Sequence, residues 1–175
     1  MLVKKILALF EARDSRPSRA KSKDSADGFQ DAEMSDEVYN LRRQVIDIIY
    51  KAHKIDATLP RIRVRVGSAA GRSRLDGSVL GLASVNNDTI WIDVKAVNIT
   101  NSSLEQVVLH EIIHASYGAL HVEEKNDIMN PYTSDANSKN VWKDFEKWHN
   151  RFKANKISKD GYIDELGKKH NWFKK

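Results

Sequence analysis

The chain has 175 residues, 41% of them apolar and 30% charged, the balance of a soluble globular domain with a hydrophobic core of its own. It has no cysteine, which excludes disulfides, thiolate metal sites and cysteine nucleophiles, so any metal must rest on histidine and carboxylate. Net charge is 29 − 24 = +5, and from Ser138 onward 11 basic residues face 5 acidic ones, a surplus that argues for a solvated surface over a nucleic-acid partner.

No apolar run approaches the roughly 20 residues that span a bilayer. At the start, Lys4 and Lys5 precede Ile6–Phe10, an apolar stretch shorter than the roughly 7–15 residues of a signal-peptide core. No secretory signal is therefore expected, and the expected location is the cytoplasm or the interior of a phage virion. Residues 13–35 are polar, Ser-rich and poor in aliphatics, too hydrophilic to offset their own ordering entropy. Residues 1–35 are read as a flexible N-terminal arm, a pro-segment or a targeting segment. Within them Leu9-Phe10-Glu11 resembles the Leu/Ile-x-Glu sites cut by head-maturation proteases of some tailed bacteriophages.

The folded domain is expected over 36–153. Ser35 or Asp36 caps a helix over about 36–54, along which Val38, Leu41, Val45, Ile48, Ile49 and Ala52 recur at helical spacing. After Pro60, residues 61–66 alternate Arg with Ile and Val, a half-buried strand with its basic side chains outward. The loop 67–77 is Gly-containing but lacks the GK[ST] ending of a phosphate-binding loop. Strands over 78–85 and 89–94 come next, joined through Asn86-Asn87-Asp88. Ser102 with Glu105 fits a capping box, and Leu104, Val107, Val108 and Ile112 mark the helix that begins there. A last helix over about 139–153 carries the apolar stripe Val141, Phe145, Trp148 and Phe152, with Glu146 and His149 at the surface. Residues 154–175 read as a basic C-terminal tail with a turn near Gly161. A calcium loop is excluded there, because Lys156 and Gly167 fall where ligands should stand.

The residues that carry chemistry lie on the helix that begins near Ser102 and in the segment after it, in His110-Glu111-Ile112-Ile113-His114 and beyond. Two histidines four apart on a helix point the same way, since four residues turn about 400°, so both imidazoles can reach one metal ion. Glu111 is one step round the helix, where a carboxylate can take a proton from a metal-bound water. Gly118 can end the helix in a left-handed conformation, and His121, three residues on, can fold back onto the metal. Glu123, Glu124, Asp127 and the more distant Glu146 are the alternatives for a third ligand. Asp93 is a candidate for orienting a ligand histidine; His53 and His170 have no evident partner.

With Met129 in Ile128-Met129-Asn130-Pro131, this segment resembles the extended zinc motif of metzincin peptidases, HExxHxxGxxH followed by a Met-turn. It is most similar to the matrixin branch, whose spacing from the third histidine to the Met-turn matches His121 to Met129. The resemblance implies an α+β, zincin/metzincin-like fold: a small twisted mixed sheet packed on an N-terminal helix and the active-site helix, then a Met-turn and a C-terminal helix. It implies Zn2+ on His110, His114 and His121, Glu111 as general base, and Met129 as the floor beneath the metal. One departure stands out: Ala115-Ser116-Tyr117 separate His114 from Gly118 where the family has two residues. One more helical residue turns the chain beyond it by about 100° and advances it about 1.5 Å.

The function these expectations describe is a zinc metalloendopeptidase acting on a protein or peptide substrate through a zinc-activated water. Tyr132 is a candidate for stabilising the tetrahedral oxyanion, and an edge strand, 78–85 or 89–94, could bind substrate by strand addition. The alternative is a zincin-fold structural or binding protein, for example a virion component, whose arm and basic tail mediate assembly.

Overall fold

A computed structural model of the chain describes residues 29–68, 80–84, 88–122, 124, 126–130, 138–154, 157–158, 161–163 and 169–171. The expectations for Leu9-Phe10-Glu11, Asn86-Asn87, Glu123, Pro131, Tyr132, Lys156 and Gly167 lie outside the described residues.

Order begins before the expected domain boundary. Strand β1 (Gln30–Asp31) pairs antiparallel with β2 (Arg63–Ser68). That pairing depends on Gly67, where a Cβ would fall onto the Gln30 carbonyl oxygen. It also explains why β2 runs two residues past the expected 61–66: its last two residues, Gly67 and Ser68, pair with β1. Arg65 holds β1 from the side, with two guanidinium bonds of 2.9 and 2.7 Å to the Asp31 carboxylate.

Helix α1 (Asp36–Ile55) starts where the Ser35 hydroxyl accepts the Val38 N–H (3.3 Å), with Asp36 and Glu37 favourably placed at the positive end of the helix dipole. Its buried stripe is the six residues that the spacing marks.

Strands β3 (Gly81–Ser84) and β4 (Thr89–Asp93) complete a mixed sheet of order β1-β2-β4-β3, with β2 parallel to β4 and β3 antiparallel to it. Strand β4 is central and buried at every residue, with Ile90 and Ile92 in the main core. Trp91 packs with Phe29 and Leu82 in a second, smaller cluster. Among the described residues strand β3 is a sheet edge and β4 is not. The expected strand 89–94 stops at Asp93, whose carboxylate accepts the Lys95 N–H (2.9 Å) and caps a 3-10 turn over Val94–Asn98.

Helix α2 (Asn101–Tyr117) is capped by Thr100, not by the expected Ser102–Glu105 box. Thr100 is the last extended residue, so its side chain meets the Ser103 N–H (3.3 Å), while Glu105 reaches across to Lys51 (3.3 Å). Ten of its seventeen residues are buried, since α2 lies between the sheet, α1 and helix α3 (Ser138–Lys153). From α3, Val141, Phe145 and Trp148 enter the core. Phe152 ends the stripe outside it, 40% exposed and stacked on Tyr117 with ring centroids 4.7 Å apart.

In the stretch read as a tail, β5 (Ile157–Ser158), β6 (Gly161–Ile163) and β7 (Lys169–Asn171) form a small antiparallel sheet. Among the described residues no helix is long and apolar enough to cross a membrane.

Candidate metal centre

His110 and His114 leave α2 on the same side, one turn apart, and His121 returns to them from the segment after the helix. The ligand-capable nitrogens of the three rings lie within 4.8 Å of one another. His110 Nε2 is 2.9 Å from His114 Nε2 and 3.0 Å from His121 Nε2. The corners of a zinc tetrahedron with bonds of about 2.0–2.1 Å are roughly 3.3–3.4 Å apart, so His110 Nε2 needs to part from each of the other two by only a few tenths of an ångström.

The other ring nitrogens decide what these contacts are. His110 Nδ1 is 2.8 Å from the Ile128 carbonyl oxygen, and His114 Nδ1 is 2.5 Å from that of Ala119. A carbonyl only accepts, so both Nδ1 atoms carry the proton and both Nε2 atoms carry a lone pair. Two lone pairs 2.9 Å apart repel unless a cation lies between them. A proton is a poor candidate. Burial, and then the neighbouring histidine, push His110 down to about 3. Burial likewise lowers His114 to about 4, and it lowers His121 too. The donor set is three neutral imidazoles aimed at one point, which fits a borderline-soft divalent metal such as zinc.

The extra residue before Gly118 is absorbed without a bulge. Helix α2 runs regularly to Tyr117, and Gly118 caps it in the left-handed region (φ 64°, ψ 18°), its N–H donating to the His114 carbonyl (3.1 Å). The chain then turns through Ala119, whose carbonyl orients His114, and delivers His121.

Of the other third-ligand candidates, Glu124 and Asp127 do not join the cluster, and Glu146 is exposed on α3. Asp127 instead serves the turn before Met129: its Oδ1 accepts the Met129 N–H (2.9 Å) and the Trp148 Nε1–H (2.8 Å). Met129 is fully buried in the core. The carbonyls of Ile128 and Ala119 orient the two helical histidines, the role Asp93 was expected to share; Asp93 caps the 3-10 turn.

Glu111 is buried (5% exposed) against the edge strand. A Cβ on Gly81 of β3 would sit 2.7 Å from Glu111 Oε1 and 2.9 Å from its Cγ. Burial raises the Glu111 carboxyl to about 8.

Neither His149 nor His53 lies free at the surface. His149 Nδ1 is 2.9 Å from the buried Asp56 carboxylate, which also accepts the Tyr117 hydroxyl (2.8 Å) and the Thr58 hydroxyl (2.6 Å). His53 is lowered by burial, an effect that nearby Asp56 opposes. Spacing alone could not announce this junction, because its members come from the ends of α1 and α2 and from the C-terminal half of α3. The signal for Asp127 was present: an Asp two residues before a turn amide is a side-chain-to-backbone turn former.

No protein-family model, no curated protein and no solved structure matches the chain. The functional reading therefore rests on the site itself.

Proposed function

We propose that this chain is a zinc-dependent endopeptidase of metzincin type, with a zincin-like arrangement of sheet and active-site helix. The observation that carries the reading is the convergence of the histidine Nε2 atoms, with the lone pairs of His110 and His114 facing each other at 2.9 Å under carbonyl-fixed tautomers. Zinc bound there supplies a Lewis acid that makes water a nucleophile near neutral pH and polarises the scissile carbonyl.

The chain's own part is to hold the metal on three imidazoles, to position the peptide and to move a proton. Glu111 comes directly after the first ligand and carries no hydrogen bond or ion pair among the described residues, so its carboxylate is available to accept the proton of the attacking water. Its raised affinity for protons suits a general base near pH 7, and a divalent cation beside it favours the ionised form that accepts. Glu111 then returns the proton to the leaving amine. Strand β3 lies against Glu111 through Gly81 and is the sheet edge on that side, so an extended substrate can add to its main chain.

Elemental analysis and peptide hydrolysis test the reading together. The expected result is about one zinc per chain and cleavage of a peptide library that chelators and Glu111→Gln both abolish. A chain that holds zinc yet cleaves nothing would leave a structural or binding protein on the same scaffold. A chain that takes no zinc would refute the metal centre itself.

A further inference from the structure

The segment from His121 to Asn130 is closed on itself. The Val122 N–H donates to the Met129 carbonyl (3.0 Å), the Asn130 N–H to the Asp127 carbonyl (3.0 Å), and the Asn130 side-chain amide to the carbonyls of Val122 (3.4 Å) and Glu124 (3.3 Å). This one loop supplies the third ring of the centre, His121, and the carbonyl of Ile128 that fixes the tautomer of the first, His110. Any shift of the loop therefore moves one ligand and re-aims another.

Apolar packing of Val122, Ile128 and Met129 seats the loop in the core, and one buried oxygen ties it to α3. Asp127 Oδ1 accepts the Met129 N–H at 2.9 Å from within the loop and the Trp148 Nε1–H at 2.8 Å from α3. Asp127 is 9% exposed and Trp148 fully buried, so water does not compete for these bonds. The second oxygen, 3.7 Å from the half-exposed Lys147, is a weaker attachment. Ile128, whose carbonyl meets His110, lies directly between Asp127 and Met129, the two residues that this oxygen joins.

We propose that Asp127 is a positioning residue of the metal centre, fixing the ligand loop to α3 through one oxygen shared by the Met129 amide and the Trp148 indole. Helix α3, which contributes no ligand, then sets the geometry at which His110 and His121 meet the ion. The inference rests on the metal-centre reading above and adds to it a dependence on a residue outside the three histidines.

The test is zinc affinity of the folded, metal-free protein by competition with a chromogenic chelator, well below its melting temperature, alongside the visible spectrum of the cobalt(II) form. Asp127→Ala removes the shared oxygen and is expected to weaken zinc roughly 10- to 100-fold and to shift the cobalt bands, the scale on which outer partners of metal ligands act. Asp127→Asn keeps an oxygen able to accept both bonds and is expected to stay within a few-fold of wild type. Trp148→Phe keeps the ring but loses the donor, and is expected to fall between the two. Val45→Ala, a core change on α1 far along the chain from the loop, controls for loss of stability alone. Wild-type zinc affinity in both Asp127→Ala and Trp148→Phe would overturn the proposal, as would an equal loss in Val45→Ala. If the wild-type chain takes no zinc, the metal centre and this inference fall together; if it does and both Asp127→Ala and Trp148→Phe match it, only the inference falls.

Discussion

At the scale of single residues, the three histidines lie close enough to share a metal ion, and burial favours the neutral form that would bind one. Free imidazole begins to lose metal to protons below about pH 6.5. Burial favours the neutral form, so His110 and His114, lowered to about 3 and about 4, stay available far below that. Zinc affinity is therefore expected to fall less steeply from pH 7.5 to about 5.5 than it would on three ordinary imidazoles, since burial lowers all three rings. Chelator competition across that range checks it; a loss that tracks an ordinary histidine near 6.5 would contradict the geometry. Glu111 works in the opposite sense. Its folded-state pKa is raised to about 8, so in the metal-free protein its contribution to stability is full below the unfolded value and is lost as pH rises towards 8. Metal-free Glu111→Gln is thus expected to melt above the wild type at pH 8, by a margin that shrinks towards pH 5. That comparison separates the burial of Glu111 from its role in hydrolysis.

At the scale of elements, two glycines mark where main chain must come close or turn left. Gly118 ends α2 at φ 64°, and Gly118→Ala is expected to cost about 1–2 kcal/mol and to weaken zinc, because the residues after it deliver His121. Thermal melting with and without metal separates the two effects. At Gly81 a Cβ would meet Glu111 Oε1 at 2.7 Å and Val107 Cγ1 at 2.9 Å. Gly81→Ala should therefore displace the carboxylate or lift β3 from α2, lowering turnover on the order of 100-fold while zinc content is unchanged. The helices and strands were largely legible from periodicity: the stripe from Val38 to Ala52 and the trio Val141, Phe145 and Trp148 are the buried faces of α1 and α3. The histidine cluster was legible as well, because i, i+4 spacing and a returning histidine are local facts. Three things were not legible: the cap at Thr100, which depends on where the chain leaves the extended state; the parallel pairing of β2 with β4; and strand β1. Each is decided by a partner distant in sequence or by a backbone angle that composition does not report.

At the scale of the whole molecule, the ends of α1 and α2 and the C-terminal half of α3 meet at Asp56. Thr58 donates to one carboxylate oxygen through its N–H (2.9 Å) and hydroxyl (2.6 Å), while the Tyr117 hydroxyl (2.8 Å) and His149 (2.9 Å) reach the other. Tyr117 directly precedes the Gly118 cap, so the junction anchors the end of the helix that carries His110 and His114. Burial alone would raise the Asp56 carboxyl. The bonds from Thr58 and Tyr117 and the proximity of His149 outweigh that and hold it below its ordinary value. A carboxyl lowered on folding stabilises the fold above its unfolded pKa, and that stability is lost as pH falls through the folded value. Acid should therefore loosen the three-helix junction in a limb below about pH 4. The lowered histidines of the metal-free protein give a separate limb, in which stability is full above about pH 6.5 and declines as pH falls from there. Asp56→Ala is expected to cost about 2–4 kcal/mol at neutral pH, since it leaves the Tyr117 hydroxyl and His149 without their buried acceptor, and to abolish only the lower limb. Thermal melts of the metal-free wild type and variant from pH 3 to 8 resolve the two. A variant that keeps the wild-type limb below pH 4 would mean that acid sensitivity arises elsewhere in the fold.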